Sequence, residues 1–495
     1  MIREALQKRK DQNTPAILQD EQWISYSQLA GQAAQIQALF PKENETKNRR
    51  PIAVIFLNDG ADFLAALFAV LQAGWTAFPI NHRLSADELS DLLRQMPVTL
   101  IITSSQLRPL CDAAASYCQT EPAVLTADHL PALSHPAPEV ESPPPDTPML
   151  LLSSSGTTGR IKLVQLSENN VAFTVRAYIK HMGYEKFQDP DPRYALGTPL
   201  FGIYGLLVTF SCILQGFPMI PMAENFTLNT FYQAVQKHKI SHYDGGTLVA
   251  ILMERTLGRT IPYDLSALRY LGFGGSKAPW GTLKRLSRAF PEVRFWSGYG
   301  MTEASPLIAQ PYQGLPPDKL DSVGIPLPGV KVMIETEKGR TDQPNQSGEI
   351  VAQGPNIMLG YYENKKATEE ILLEGWLHTG DIGYFDNDGY LYICGRKKNM
   401  ILVRGFNVYP EEVETRLLSC PLIKDCFVYS KVPEPGSEIE IVCADIVPSG
   451  PDVAPEMIQD WCSGHLADYK CPKIINLKES LKKTSTGKNQ RIKKE

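Results

Sequence analysis

The sequence has no long apolar run and no large excess of charge of one sign. Its 495 residues include 49 basic and 54 acidic side chains, a net charge of −5, which is too balanced to indicate nucleic-acid binding. The most apolar stretch, residues 63–80, is interrupted by Gln72, Gly74 and Pro79. It therefore predicts a buried helix followed by a strand rather than a membrane span. We expect no nucleic-acid partner and no integral membrane segment.

The cysteines form neither a CxxC motif nor a Cys/His cluster with zinc spacing. The N-terminus is charged and lacks the apolar region of a signal peptide. We therefore expect reduced thiols and a cytoplasmic protein. The nine cysteines are Cys111, Cys118, Cys212, Cys394, Cys420, Cys426, Cys443, Cys462 and Cys471.

Strand-like and helical patterns alternate over the first four hundred residues. Apolar runs at residues 52–57, 99–103 and 149–153 are separated by helical patterns such as residues 61–73 and 85–95. This alternation predicts an α/β architecture with largely parallel sheets.

The pattern changes near Gly395, after which about 100 residues predict a small α+β domain. Its expected elements are helices at residues 410–419 and 455–465 and strands at residues 426–429 and 439–446. We place the boundary in the charged run of residues 395–399, which gives domains of residues 1–395 and 396–495.

The C-terminal tail is basic although the body is acidic. Residues 470–495 hold nine basic and two acidic side chains, a charge of +7. A basic tail on an acidic body often contacts phosphates, although a solvated tail has the same composition.

A Ser/Thr/Gly-rich segment gives the strongest local signal. Residues 150–159 read Leu-Leu-Leu-Ser-Ser-Ser-Gly-Thr-Thr-Gly, and Lys162 follows. Glycines allow close backbone approach, and hydroxyls with exposed N–H groups suit phosphate oxygens. The segment does not match the GxxxxGK[ST] pattern of the P-loop. A flexible linker is the structural alternative.

Two further clusters follow predicted strands. Residues 298–303, Gly-Tyr-Gly-Met-Thr-Glu, follow an apolar run at 293–296, and residues 274–276, Gly-Gly-Ser, end another strand. Open α/β sheets bind ligands at such strand ends. A carboxylate such as Glu303 can face phosphates when a cation such as Mg²⁺ lies between them. Structural turns are the alternative for both clusters.

Candidate ribose and phosphate contacts come later in the chain. Asp381 follows Gly380 in residues 376–381, and a carboxylate commonly binds a ribose diol, although it could also cap a helix. In residues 483–488, Lys-Thr-Ser-Thr-Gly-Lys, the last lysine can reach a phosphate or a developing oxyanion.

Taken in this order, the segments resemble the adenylate-forming superfamily. Its members include acyl-CoA synthetases, 4-coumarate:CoA ligases, firefly luciferase and adenylation domains of nonribosomal peptide synthetases. The resemblance covers nearly the whole chain, from residues 71–81, Leu-Gln-Ala-Gly-Trp-Thr-Ala-Phe-Pro-Ile-Asn, to the tail lysine. It implies a large N-terminal domain with parallel-rich α/β sheets and a β-barrel-like subdomain, followed by a small mobile C-terminal domain.

The resemblance also implies a two-step ligase reaction that uses ATP and Mg²⁺. A carboxylate attacks the α-phosphate of ATP, giving acyl-AMP and pyrophosphate, and a thiol then displaces AMP. By position, Ser154, Ser155, Gly156, Thr157, Thr158, Gly159 and Lys162 would hold the β- and γ-phosphates. Gly275, Ser276 and Tyr299 would flank adenine, Thr302 would contact the α-phosphate, and Glu303 would bind Mg²⁺. Asp381 and Arg396 would hold the ribose, and Lys488 would bridge the carboxylate and the α-phosphate.

The small domain of these relatives rotates between the two steps about a residue in the charged run. By position this hinge is Lys398, and rotation would withdraw Lys488 and bring the face near Gly405 to the thiol tunnel. A solvated lysine pair is the alternative at residues 397–398. The sequence departs from the family at Ile161, Gly202, Leu402 and Lys482, none of which is an expected phosphate or metal ligand.

The positions that match the family's acyl pocket predict a roomy, apolar-walled site for a fatty or bulky aryl acid. In peptide-synthetase relatives an aspartate at the Gly202 position pairs the α-ammonium, so an ordinary α-amino acid is not expected. Asp244 could pair an amine or hydroxyl of the substrate, or could cap a turn or bond near Tyr243. The nine positions are Gly202, Ile203, Leu206, Asp244, Gly272, Gly274, Gly298, Pro306 and Leu307.

Two acceptors and one inactive alternative remain open at this stage. The expected product is an acyl-CoA thioester. A stand-alone enzyme that loads a phosphopantetheinyl carrier protein is the second hypothesis, with the thiol again supplied by another molecule. A degenerate relative that binds nucleotide without ligating is the third.

Overall fold

The computed structural model describes most of the chain: residues 1–41, 50–130, 140, 143–154, 161–183, 191–224, 226–275, 278–312, 314–403, 406–432 and 440–481. The helices of this described part are α1 (Tyr26–Ala38), α2 (Ala61–Gln72), α3 (Ala86–Leu93), α4 (Arg108–Ala115), α5 (Glu168–Met182), α6 (Ile203–Gln215), α7 (Leu228–His238), α8 (Leu248–Glu254), α9 (Trp280–Ala289), α10 (Lys365–Ile371), α11 (Pro410–Leu417) and α12 (Pro455–His465).

The strands of the first half, through the end of the second parallel sheet, are β1 (Pro15–Gln19), β2 (Gln22–Ser25), β3 (Ile52–Phe56), β4 (Thr76–Pro79), β5 (Leu100–Thr103), β6 (Ala123–Thr126), β7 (Pro148–Ser154), β8 (Lys162–Ser167), β9 (Tyr194–Gly197), β10 (Met219–Pro221), β11 (His242–Gly245), β12 (Tyr270–Phe273) and β13 (Arg294–Ser297).

The later strands are β14 (Tyr299–Gly300), β15 (Leu307–Gln310), β16 (Ile325–Pro326), β17 (Lys331–Thr336), β18 (Gly339–Thr341), β19 (Gly348–Gln353), β20 (Gly360–Tyr361), β21 (Leu372–Leu373), β22 (Trp376–Phe385), β23 (Leu391–Arg396), β24 (Ile401–Val403), β25 (Phe406–Val408), β26 (Ile423–Lys431), β27 (Ile441–Pro448) and β28 (Ile474–Leu477).

Two seven-stranded sheets form the centre of the large domain, which confirms the predicted α/β class. Their strand orders are β20-β8-β7-β4-β3-β5-β6 and β13-β12-β11-β9-β10-β1-β2. Pairing is parallel from β4 through β6 and from β13 through β1, whereas β7–β8, β8–β20 and β1–β2 are antiparallel. The functional segments follow the carboxyl ends of these parallel strands.

The principal core lies between these sheets. One buried apolar cluster contains side chains from both sheets and from α1, α2, α5 and α6. Helix α2 is buried along almost its whole length, from Ala61 to Leu71, because it is apolar on every face. None of the helices in the described ranges is long and apolar enough to cross a membrane.

Two antiparallel sheets occupy the region where a β-barrel-like subdomain was expected. One has the order β18-β17-β19-β22-β21 with β23 beside β22, and the other is β14-β15-β16. Within the described residues these are two open sheets rather than one closed barrel. The longer sheet carries the side chains that follow Trp376 and Leu391.

The C-terminal region forms its own small α+β unit, as predicted. The β24–β25 hairpin and the sheet β26-β27-β28 pack with α11 and α12 around a separate apolar cluster. Strand β23 runs through the predicted boundary at residues 395–396, so that Arg396 still pairs with Asp381 of β22.

Candidate active site

Two paired antiparallel strands, β7 and β8, flank the segment predicted to bind phosphates. Ser154 of β7 and Lys162 of β8 are register partners, and the Ser154 hydroxyl donates to the Lys162 carbonyl at 3.5 Å. The predicted contacts Ser155, Gly156, Thr157, Thr158 and Gly159 lie outside the described residues. The strand register thus places Lys162 beside Ser154, the first residue of the predicted phosphate-binding set.

Lys162 leads directly to the carboxylate predicted to bind metal. Its ammonium Nζ lies 4.8 Å from the centre of the Tyr361 ring, a cation–π contact. The Tyr361 hydroxyl donates to Glu303 Oε1 at 2.8 Å. Burial, and then the Glu303 charge, raise the pKa of Tyr361, which keeps its proton in this bond. Tyr361 therefore links the phosphate segment to Glu303.

Backbone contacts hold Glu303 in a turn of 3₁₀-helix formed by residues 302–304. Its carbonyl accepts from the Met358 N–H at 2.9 Å. The Asn356 amide donates to the carbonyls of Ala304 at 3.2 Å and Leu307 at 2.8 Å. Glu303 is 6% exposed, so its carboxylate has a defined position at the edge of the core. Thr302 begins the same turn.

The described residues include no cluster of three or more potential metal-ligating side chains. Mg²⁺ is commonly bound by one or two carboxylates while substrate phosphates and water supply the other oxygens. Glu303 could supply such a carboxylate, and Tyr361 orients it through a single oxygen.

A second set of side chains surrounds Asp381. Asp381 and Arg396 face each other across β22 and β23, and Arg396 Nε lies 2.7 Å from Asp381 Oδ1. The Tyr299 hydroxyl donates to Asp381 Oδ2 at 2.8 Å. Burial, and then the negative charge of Asp381, raise the pKa of Tyr299 well above its ordinary value. The structure therefore brings together three residues that are separated by up to 97 positions in the sequence.

Glycines around this set allow close backbone approach. Gly275 follows β12 with φ of +79°, in the left-handed region that favours glycine. A Cβ at Gly300 would lie 1.8 Å from the Pro306 carbonyl oxygen, so no larger residue fits there. The neighbouring predicted contact Ser276 lies outside the described residues.

The predicted acyl-pocket positions lie on or beside β11–β13, α6 and β15, and the roomy apolar pocket expected there stays a prediction. A Cβ at Gly272 would lie 2.2 Å from Asp244 Oδ1 and 2.5 Å from Trp296 Cε2. A Cβ at Gly274 would lie 2.8 Å from the Tyr204 ring. The glycines therefore accommodate large polar and aromatic side chains of the chain itself.

Asp244 also differs from the turn-capping alternative. It lies within β11 and accepts hydrogen bonds from Tyr204 at 2.7 Å and Tyr178 at 3.2 Å. The remaining pocket positions lie nearby on α6 and β15. Gly202 precedes α6, Ile203 and Leu206 are buried on it, and Gly298 approaches Leu307, which follows Pro306.

The residues beside the predicted hinge are attached to different domains. Lys397 pairs with Glu349 of β19 in the large domain at 2.8 Å. Asn399 donates to Glu411 of α11 in the small domain at 2.7 Å. Although burial opposes it, the Lys397 ammonium lowers the pKa of Glu349. Lys398 lies between these two attachments, while Gly405 and Lys488 lie outside the described residues.

Two surface cavities lie away from this site. One, of about 560 Å³, borders Lys284, Arg288 and Arg294, and the other, of about 510 Å³, lies between α9 and helices α11 and α12. Neither cavity is lined by a predicted site residue, so neither supports an assignment of the active site.

Sequence reasoning missed five residues that complete the site. Tyr361 stands in a Gly-Tyr-Tyr segment that could have been noticed, and Tyr204 lies within a segment compared with the family. The others have no local signal, because only the sheet register and helix packing bring them to the site. These are Tyr178, Trp296 and Glu349.

Family comparisons agree with this geometry. A model described as "AMP-binding enzyme" matches residues 4–362, and one described as "AMP-binding enzyme C-terminal domain" matches residues 412–488. The chain belongs to the AMP-binding enzyme family. Its adenylate-forming fold, with a large and a small domain, is thereby established.

Relatives of this AMP-binding enzyme include named CoA ligases. It is 32% identical to oxalate–CoA ligase of Arabidopsis thaliana, over 89% of this chain and 87% of the relative. It is also 32% identical to feruloyl-CoA synthase of an Amycolatopsis species, over 86% and 84% of the two chains.

Solved structures of similar proteins include the o-succinylbenzoate CoA synthetase (MenE) of Bacillus subtilis. Its complex with the acyl-adenylate intermediate OSB-AMP aligns with a TM-score of 0.83 and 25% identity, covering 98% of this chain and 96% of that one. A complex of the same protein with ATP and a magnesium ion aligns with a TM-score of 0.82 and 26% identity, covering 98% of both chains.

Proposed function

We propose that this AMP-binding enzyme is an AMP-forming acid–thiol ligase that joins a carboxylic acid to CoA. The observation that carries the proposal is the continuous arrangement of Lys162, Tyr361 and Glu303. It provides a cation and a buried carboxylate in one place, and Lys162 follows the hydroxyl-rich sequence of residues 153–159 closely in the chain. The named CoA ligases among the relatives support the same reaction.

The nucleotide roles follow from the two side-chain sets. Residues 154–159 and Lys162 bind the β- and γ-phosphates, while Gly275, Ser276 and Tyr299 flank adenine. Asp381 binds the ribose hydroxyls together with Arg396. Tyr299 and Arg396 fix the orientation of the Asp381 carboxylate, which supports this role.

Charge neutralisation and positioning carry the first half-reaction. A carboxylate oxygen forms a bond to the α-phosphorus while the bond to pyrophosphate breaks, so two anions must approach each other. Thr302 contacts the α-phosphate, and Lys488 bridges it to the attacking carboxylate. These cationic and hydroxyl groups replace a conventional base, because the attacking carboxylate is already ionised.

Glu303 would hold Mg²⁺, and the ion would offset the negative charge of the phosphates. Tyr361 keeps its proton and fixes the Glu303 carboxylate, and the Lys162 ammonium lies over the Tyr361 ring. The magnesium-bound complex of the similar Bacillus subtilis synthetase supports this cofactor.

The second half-reaction uses the mobile small domain, comprising residues 396–495. A thiolate attacks the acyl carbonyl and AMP leaves. Rotation about Lys398 withdraws Lys488 and brings the face near Gly405 to the thiol. The attachment of Lys397 to the large domain and of Asn399 to the small domain supports a hinge between them.

We take CoA rather than a carrier protein as the acceptor, since the named relatives are CoA ligases. The acid is an aryl or fatty acid, as the acyl-pocket positions suggest. We also propose a cytoplasmic location. The free thiols of all nine cysteines support it, because free thiols are typical of a reducing compartment.

The proposal is tested by pyrophosphate release from ATP and Mg²⁺ across a panel of fatty, benzoic and cinnamic acids. We expect acid-dependent release, followed by an acyl-CoA product in mass spectrometry when CoA is added. Glu303→Gln serves as the inactive control. If no acid causes pyrophosphate release, the ligase reaction is contradicted. The hypothesis of a degenerate relative that binds nucleotide without ligating predicts this result. Acyl transfer to a phosphopantetheinyl carrier protein but not to CoA would show that the carrier protein is the acceptor.

A further inference from the structure

A polar row crosses the parallel sheet below the nucleotide site. Asp244, Gly272 and Trp296 are register partners on β11, β12 and β13. Because Gly272 has no side chain, Asp244 Oδ1 and the Trp296 ring both lie over it, within 2.5 Å of where its Cβ would be. The row therefore forms a closed floor made of one carboxylate and one indole.

Two tyrosines from the helices that cover this sheet orient the carboxylate. Tyr204 of α6 donates to Asp244 Oδ1 at 2.7 Å, and Tyr178 of α5 donates to Oδ2 at 3.2 Å. Asp244 is only 1% exposed. A buried charge of this kind is costly unless further groups hydrogen-bond to it. Each tyrosine hydroxyl has one proton. Because Tyr204 donates this proton to Asp244, its oxygen can only accept a hydrogen bond from a third group.

One polar atom of the floor and two on the adjoining helix α5 have no hydrogen-bond partner among the described residues. They are Trp296 Nε1 and both ring nitrogens of His181, and these side chains are 1% and 2% exposed. His181 lies three residues after Tyr178 on α5, so both side chains project from the same face of that helix. Buried polar atoms are normally satisfied, which indicates that water or a polar ligand completes this region.

The floor lies on the strands whose carboxyl ends lead to the predicted nucleotide residues. Gly274 and Gly275 follow β12, and Gly298 and Tyr299 follow β13. The sheet continues past the polar row, with Gly274 N–H donating to the Gly245 carbonyl at 3.0 Å and Gly298 N–H to the Phe273 carbonyl at 3.2 Å. Within the described chain, nothing lies within 4 Å of where a Cβ at Gly246 would be. An acid whose carboxyl group meets the α-phosphate beside these strand ends would therefore have its other end near the glycines and Asp244.

We propose that Asp244, together with Tyr204, selects carboxylic acids that carry a hydrogen-bond donor, such as a phenolic hydroxyl or an aromatic amine, at the end opposite the carboxyl group. The inference rests on the proposed ligase function and specifies its substrate. A donor can bond to Asp244 or to the Tyr204 oxygen. A second carboxylate would meet the negative charge of Asp244, so a dicarboxylic acid is disfavoured, in contrast to the oxalate and succinylbenzoate named for similar proteins.

The test compares matched acids that differ only at the para position. Cinnamate and benzoate are each used unsubstituted and with hydroxyl, amino, methoxy and carboxylate groups, and kcat/KM is measured by pyrophosphate release. A hydrogen bond to a charged group predicts a preference of about 10-fold or more for the hydroxyl and amino acids over the unsubstituted and methoxy acids. The para-carboxylate acids are expected to be the poorest substrates.

Two variants of the floor test whether Asp244 and Tyr204 cause the preference for acids with a hydrogen-bond donor. Asp244→Asn keeps the shape but removes the charge, and should reduce the donor preference and raise kcat/KM for the para-carboxylate acids. Tyr204→Phe should reduce the donor preference through loss of the accepting oxygen. Tyr243→Phe is the matched control, because it removes a hydroxyl from the opposite face of β11, where the ring packs against Gly197 and Gly245. It should leave the preference unchanged.

The outcomes separate the inference from the proposed function. Equal kcat/KM for donor and non-donor acids, or an unchanged preference in both floor variants, overturns the inference while the ligase reaction stands. Failure of every acid in the wider panel, fatty acids included, overturns the ligase function. Thermal melting identifies any unfolded variant, and if Asp244→Asn does not fold, Tyr204→Phe decides the result.

Discussion

At the residue scale, the site relies on tyrosine hydroxyls that orient buried carboxylates. Tyr361 binds Glu303, Tyr299 binds Asp381, and Tyr204 binds Asp244. Each tyrosine donates its proton to a carboxylate oxygen. Such a donor restricts the carboxylate's rotation without neutralising it, which suits the roles proposed for these carboxylates.

Lys488 is the residue whose loss should most affect the first half-reaction. Removal of one preorganised charged donor typically costs ~10²–10³ in rate, so Lys488→Ala should reduce ATP–pyrophosphate exchange by at least that factor. Thioester formation from a supplied acyl-adenylate should persist, since the lysine is withdrawn in that step.

Lys482→Ala serves as the control for Lys488→Ala, because it removes a lysine from the same basic tail without touching the Gly-Lys motif. Exchange at the wild-type rate in Lys488→Ala would refute the assigned role.

Asp244 should make the substrate preference depend on pH. Burial raises its pKa to about 7 although Tyr204 and Tyr178 hydrogen-bond to it. The carboxylate is therefore mostly protonated below that value and ionised above it. The preference for a para-hydroxyl acid should grow by up to about 10-fold between about pH 6 and about pH 8, when kcat/KM ratios are compared across pH.

Five other titratable side chains lie on the elements around Asp244, and burial shifts the pKa values of three of them out of this range. Burial raises the pKa of Cys212 and of Tyr243, and burial lowers the pKa of His181 to about 4. The ratio should be independent of pH in Asp244→Asn, and a wild-type ratio that falls as pH rises would contradict the role of the carboxylate. The titratable groups concerned are Tyr178 and His181 from α5, Tyr204 and Cys212 from α6, and Tyr243 from β11 itself.

At the element scale, the N-terminus of α5 holds the segment that positions Glu303. Asn170 completes the capping box of α5 with Ser167, and its amide also donates to the carbonyls of Pro355 and Ile357, both at 2.8 Å. The next residue, Met358, donates to the Glu303 carbonyl. A local helix cap is thus connected to the metal-binding turn.

Asn170→Ala should therefore affect both stability and catalysis. It leaves two carbonyls without their donor and removes the cap, at a cost of about 2–3 kcal/mol in the free energy of unfolding. Denaturant unfolding and pyrophosphate release should both be measured. Asn169→Ala is the matched control, because Asn169 is exposed and its side-chain amide donates to exposed Asp146. Equal effects of the two variants would contradict the connection.

At the scale of the whole molecule, the link between the two domains is the short segment whose side chains contact first the large domain and then the small one. β23 extends the large domain's sheet through Arg396, and Lys397 still binds Glu349 of that domain. Asn399 donates to Glu411 of the small domain. We therefore propose Lys398, between these two attachments, as the residue at which backbone rotation reorients the small domain.

Lys398→Pro should separate the two half-reactions. Proline fixes φ near −65°, so the small domain should stay in one orientation. Pyrophosphate release should persist in a single turnover while acyl-CoA formation is lost.

Lys398→Ala is the control for the hinge, because it removes the side chain and keeps the backbone free, and both half-reactions should continue. Normal acyl-CoA formation by the proline variant would place the hinge elsewhere.

The sequence by itself determined the α/β class, the small C-terminal domain and the motifs at the strand ends. These depend on periodicity and on short segments such as residues 298–303, which act where they stand in the chain. Asp381 and Arg396 were also identified, because each lies in a recognisable motif.

Only the tertiary structure decided how distant residues combine. Tyr178, on a helix, and Trp296, on a strand, reach Asp244 through sheet register and helix packing, for which neither residue has a local signal. Glycine positions alone predicted an open pocket, but the space at Gly272 is filled by its cross-strand neighbours. A glycine in a sequence shows where a side chain is missing, whereas its neighbours in the sheet determine whether that space admits a ligand or another part of the chain.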